Sequence, residues 1–121
     1  MKAIANGAAF AAGLVLAVLA LPAGAHAFLH HADPRVGSTV AHSPAQVTLQ
    51  FTEKLEPAFS TLKVLDAAGK EVDAHDLKVE GVSMRVTIPS PLAPGKYRVQ
   101  WRALSVDTHV TDGEFTFEVG R

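Results

Sequence analysis

Near the end of the chain, Asp107-Thr108-His109 sets a carboxylate and an imidazole two positions apart. Side chains of an extended segment repeat every second residue, so Asp107 and His109 are expected on one side. Such a pair offers an oxygen and a nitrogen to a metal ion, although the carboxylate can equally serve only to orient the ring. A second candidate lies near the start. His26 follows Ala23-Gly24-Ala25, and if the chain is cut after Ala25, His26 offers two nitrogens from one residue. Its free amine and ring Nδ1 can then close a chelate on one ion. The imidazole of His109 would complete a T-shaped set of three nitrogens. Asp107 could add an oxygen, and Glu53, in Phe51-Thr52-Glu53, could supply or orient another. Cu(II) favours tetragonal nitrogen and oxygen sets of this kind. The amine, with a free pKa near 8, must lose its proton to bind, so affinity is expected to fall in acid.

Whether His26 is exposed as a terminus depends on the first stretch. Lys2 is followed by an uncharged apolar run from Ala8 to Leu21, then Pro22 and small residues. This is the layout of a secretory signal peptide. The run falls short of the roughly 20 residues that span a bilayer as a helix. The expected division is therefore a leader over residues 1–25 and one domain over residues 26–121. A second cut, after Ala27, also satisfies the small-residue rule. It would begin the chain at Phe28 and put His30 in third place, where amine, amides and imidazole can bind Cu(II) in a square plane without a fold.

Composition narrows the chemistry. The full chain carries a net charge of −1, and loss of Lys2 makes it −2, so nucleic acid, which needs a basic face, is not an expected partner. With no cysteine, neither disulfides nor thiolate ligands are available. Histidine and carboxylate ligands favour Cu(II), Zn(II) or Ni(II) over Cu(I). The other histidines, His30, His31, His42 and His75, are expected to be surface residues. Lys63, Arg98 and Arg102 read as solvated strand faces rather than a docking surface.

The elements that must position these groups are strands. Val47, Leu49 and Phe51 alternate with polar residues, as do Leu62 and Val64, and Met84, Val86 and Ile88. The same period runs through Tyr97, Val99, Trp101 and Ala103, and through Phe115, Phe117 and Val119. Alternation of this kind marks half-buried strands. Asp66-Ala67-Ala68-Gly69, Pro94-Gly95 and Asp112-Gly113 are expected turns. Short strands separated by turns predict an all-β sandwich or barrel.

These residues also carry a family pattern. His26 with Leu29, Ala32-Asp33-Pro34 and Gly37-Ser38 looks like the start of the periplasmic copper-resistance protein C (CopC) family. Val47 to Glu53 looks like its second strand. Leu92-Ala93-Pro94-Gly95-Lys96-Tyr97-Arg98-Val99-Gln100-Trp101-Arg102 is similar to its most recognisable stretch, and Ser105 to His109 with Gly113 to Val119 completes the match. The resemblance implies a Greek-key, Ig-like (cupredoxin-like) β-sandwich. It also implies one Cu(II) held by His26, Asp107 and His109, with Glu53 beside them. By the same resemblance the chain is a periplasmic, monomeric carrier or buffer in copper homeostasis, with an inner-membrane copper importer as its partner, and it is not an enzyme. Some members also bind Cu(I) through methionines. This chain has only Met1 and Met84, which points to Cu(II) alone.

Two other functions share parts of the pattern. A terminal histidine chelate also serves oxidative polysaccharide-cleaving enzymes. Those need open copper positions and a broad polymer-binding surface, which a chain with eight aromatics, most at inward positions, is not expected to offer. A metal-free Ig-like interaction domain would share the strands without the site, because a fold does not fix a function.

Overall fold

The computed structural model describes residues 28–121, so the expected leader and His26 lie outside the described residues. Eight strands are formed: β1 (Leu29–Asp33), β2 (Thr39–Val40), β3 (Gln46–Phe51), β4 (Thr61–Leu65), β5 (Lys78–Glu80), β6 (Ser83–Thr87), β7 (Gly95–Leu104) and β8 (Val110–Val119). Among the described residues one 3-10 turn, Pro57–Phe59, stands between β3 and β4. The strands form two four-stranded sheets, in the orders β1-β3-β6-β5 and β2-β8-β7-β4. Every pairing is antiparallel except that of β2 with β8. Only β5–β6 and β7–β8 are neighbours both in sequence and in a sheet. The other five connections all pass between the sheets, which gives a Greek-key β-sandwich.

Period-two alternation places one side of each strand in a shared core. Val47, Leu49 and Phe51 from β3, Leu62 and Val64 from β4, and Met84 and Val86 from β6 are buried, and Ile88 follows β6 inward. Tyr97, Val99 and Ala103 from β7 meet Phe115, Phe117 and Val119 from β8. The Tyr97 ring stacks on Phe117 at 5.7 Å between centroids. Burial of apolar area on this pattern is the main force holding the sheets together. Trp101 sits at an inward position of β7 but is only half-buried; its ring meets Phe51 edge-on at 5.0 Å.

Three local expectations meet different outcomes. Asp66 to Gly69 does turn the chain: the Gly69 N–H donates to the Asp66 carbonyl at 3.0 Å, and the Asp66 carboxylate accepts from the amides of Ala68 and Lys70. Asp112-Gly113 is not a turn. Both residues lie inside β8, with Gly113 opposite Trp101. A Cβ on Gly113 would stand 2.7 Å from Trp101 Cζ2, so the missing side chain makes room for the indole. Pro94-Gly95 is not a type II turn either, since Gly95 already pairs with Val119 as the first residue of β7, at φ +151°.

Candidate metal centre

The ladder of β7 and β8 pairs Gly95 with Val119 and runs to Leu104 with Val110. At its end the chain reverses over Ser105 to His109. The segment is not extended, so the alternation argument that placed Asp107 beside His109 does not apply. A tight loop brings them together instead. Ser105 N–H donates to the His109 carbonyl at 2.9 Å, and Thr108 N–H donates to the Ser105 carbonyl at 2.9 Å. Thr108 takes φ +72°, a left-handed conformation uncommon for a β-branched residue. The result is an Asp107 Oδ1 to His109 Nδ1 distance of 3.3 Å, with both side chains about half exposed.

Ser105 anchors this loop and was not singled out from sequence. It is fully buried, and its hydroxyl lies against Asp107 Oδ1, the His109 carbonyl and the His109 N–H. The Asp107 carboxyl is held below the usual carboxylate range, first by the Ser105 hydroxyl and then by the His109 ring. Both favour the ionised form, so the oxygen facing His109 is an anion well below neutral pH.

Glu53 follows β3 on the adjoining segment and is half-buried. That segment is stitched to the loop. Val106 N–H donates to the Lys54 carbonyl at 3.0 Å, Leu55 bridges Ser105, and Glu56 N–H donates to the Leu104 carbonyl at 2.8 Å. The first described residue arrives at the same place. Phe28 N–H donates to Thr52 Oγ1, and Thr52 N–H donates to the Phe28 carbonyl, both at 2.9 Å. Asp107 and His109 are thus brought into direct contact, and Glu53 and the start of β1 converge on the same end of the sandwich.

The remaining histidines separate. His30 and His31 are both exposed on β1, where a bulge between Leu29 and His31 breaks the alternation. His42 is exposed in a bend. His75 is exposed, as expected, but it is not isolated: its Nδ1 lies 3.1 Å from Glu71 Oε2. Lys63, Arg98 and Arg102 lie on the outer face of the β4–β7 pair.

Comparison with known proteins agrees with this architecture. Residues 29–120 match the CopC domain. Copper resistance protein C of Pseudomonas syringae pv. tomato is 36% identical over 118 residues, an alignment covering 91% of this chain and 90% of that protein. The crystal structure of CopC from Methylosinus trichosporium OB3b superposes with a TM-score of 0.73 at 37% identity, covering 78% of this chain and 94% of that one. The copper transport protein CutJ of Bacillus subtilis is 31% identical over 111 residues, which are 89% of this chain but 20% of that protein. The fold and the loop belong to a copper-resistance β-sandwich. The chain is a member of the CopC family.

Proposed function

We propose that this chain is an exported periplasmic carrier or buffer that holds one Cu(II) at the β7–β8 end of the sandwich and performs no catalysis. The observation that carries the reading is the convergence of three segments there: Asp107 and His109 in contact, the Glu53 segment bonded to their loop through Lys54 and Val106, and Phe28 bonded to Thr52. His26 stands two residues before Phe28 in the sequence. Two residues of extended chain span about 7 Å, within reach of the same end. Cleavage after Ala25 would free its amine for a chelate with Nδ1, with His109 as third nitrogen and Asp107 as oxygen donor. Glu53 ligates the ion or orients a ligand. An uncleaved chain has an amide in place of that amine and lacks the chelate.

The ligand chemistry supports Cu(II) over Cu(I). Thioether ligands are what Cu(I) wants, and Met84, the one methionine of the described residues, is buried in the core. The partner we propose is an inner-membrane copper importer. CutJ is named a transport protein, and the region matching this chain is a fifth of its length, which is what a domain working beside a larger transport machine would look like. The protein acts as a monomer.

The test is Cu(II) affinity, by chelator competition, of a chain beginning at His26. His26→Ala is expected to weaken binding by orders of magnitude, because a chelate is broken. One residue added ahead of His26 is expected to do similar damage by moving the amine from the ring. Parent-like affinity in both would overturn the terminal site.

A further inference from the structure

We propose a second metal site, for one divalent transition-metal ion, formed by Glu71, Asp73 and His75 on the connection between β4 and β5. Each residue presents one ligand atom, and the three atoms lie within 4.8 Å of one another. Two oxygens and one imidazole nitrogen are a borderline-hard set suited to Zn(II) or Cu(II). The site is distinct from the β7–β8 loop and goes beyond the copper-carrier reading.

The geometry is prepared rather than incidental. Asp73 is 5% exposed, which is unusual for a carboxylate in a polar connection. Its Oδ1 accepts the Val64 N–H at 2.8 Å, and its Oδ2 accepts the His75 N–H at 3.2 Å. A carboxylate has about four lone-pair positions, so the two backbone amides leave room on it that Glu71 now faces and a cation could take. The group is fixed by backbone amides, and a ligand held this way loses little freedom on binding. Glu71 Oε2 is already 3.1 Å from His75 Nδ1. Two donors bound to one tetrahedral zinc at about 2.1 Å stand about 3.4 Å apart, so this pair needs almost no movement. The largest separation in the trio must close by no more than about 1.4 Å, and the exposed His75 ring can supply that.

The surroundings fit a cation. The three residues line one cleft with Lys63, Leu77 and Val86. Asp73 and Glu71 put two carboxyl groups side by side there. A divalent ion would neutralise both carboxylates and leave the imidazole as its third protein ligand, with water completing the shell.

The test separates this site from the β7–β8 centre by working in His109→Ala, starting from His26, with Zn(II) alone as probe and a chromophoric chelator as competitor. His109→Ala is expected to retain one equivalent of Zn(II). Adding His75→Ala or Glu71→Gln is expected to weaken that binding at least tenfold. Both positions are partly exposed, so the fold should survive, and an unchanged circular dichroism melt of the metal-free variants checks it. In the parent, Zn(II) should also shift the His75 ring resonances in NMR. No retained Zn(II) in His109→Ala, or retention unaffected by His75→Ala and Glu71→Gln, overturns the proposal. Failure of the copper reading would show itself separately, as parent-like Cu(II) affinity in His109→Ala.

Discussion

The Ser105 hydroxyl organises both halves of the candidate copper pair, and Ser105→Ala is expected to damage copper binding without touching a ligand. The side chain is fully buried, and its oxygen serves the Asp107 carboxylate and, at 3.2 and 3.3 Å, the His109 carbonyl and N–H. Removing it costs about 1–2 kcal/mol of stability, the loss of a buried hydrogen-bonding group. In a domain of this size that lowers Tm by about 4–16 °C. A group that orients a metal ligand through hydrogen bonds typically contributes about 10–100-fold in affinity, so Cu(II) binding at pH 7 should weaken by that factor. The pH arm has a definite sign. A carboxyl whose pKa is depressed in the fold contributes fully above its free value, about 3.9, and loses that contribution as pH falls through the lowered one. Without Ser105 the largest cause of the depression is gone, and Asp107 takes up its proton at higher pH. The parent-to-variant affinity ratio should therefore widen as pH falls towards the free Asp value. Chelator competition across pH 4–7, beside apo melts, reads all three effects. An affinity within twofold of the parent at pH 7 would refute the reasoning. If Tm fell as expected while affinity held, copper would not be using the Asp107–His109 pair.

Two further predictions concern the scaffold. Gly113→Ala puts a Cβ 2.7 Å from Trp101 Cζ2, so the indole must shift; a loss of about 1–3 kcal/mol is expected, with a change in the emission of this sole tryptophan. Unaltered emission and Tm would show that the ring has free room. Tyr97→Phe removes an O–H that donates to the Ala93 carbonyl at 2.6 Å, for an expected loss of about 0.5–1.5 kcal/mol in denaturant unfolding; an unchanged midpoint would mean that the bond does not contribute.

The strands were legible because alternation is a local signal. Each of Val47, Leu49, Phe51, Leu62, Val64, Met84, Val86, Phe115 and Phe117 stands in the core where its period put it. What escaped depends on partners distant in sequence. Asp112-Gly113 has turn composition, yet Gly113 lies in mid-strand because Trp101 across the ladder occupies the space. Asp107 and His109 do meet, but through a loop with Thr108 at positive φ, and no residue type advertises that conformation. Nothing in the residues around Asp73, between Glu71 and His75, advertises its burial. Its carboxylate accepts the Val64 N–H nine residues away, a pairing that exists only once β4 is in place.

The two-residue strand β2 closes its sheet by lying parallel to the last turns of the ladder, Thr39 against Glu118 and Val40 against Val119. Val40 accepts from Gly120 as well. These contacts join the two ends of the described chain, and loop closure over such a span is entropically costly and slow. A growing polypeptide therefore cannot pair β2 within this sheet until Glu118 to Gly120 have been made. Up to that moment β2 has no partner in its sheet, and β7 lacks the Phe115, Phe117 and Val119 face that completes the core.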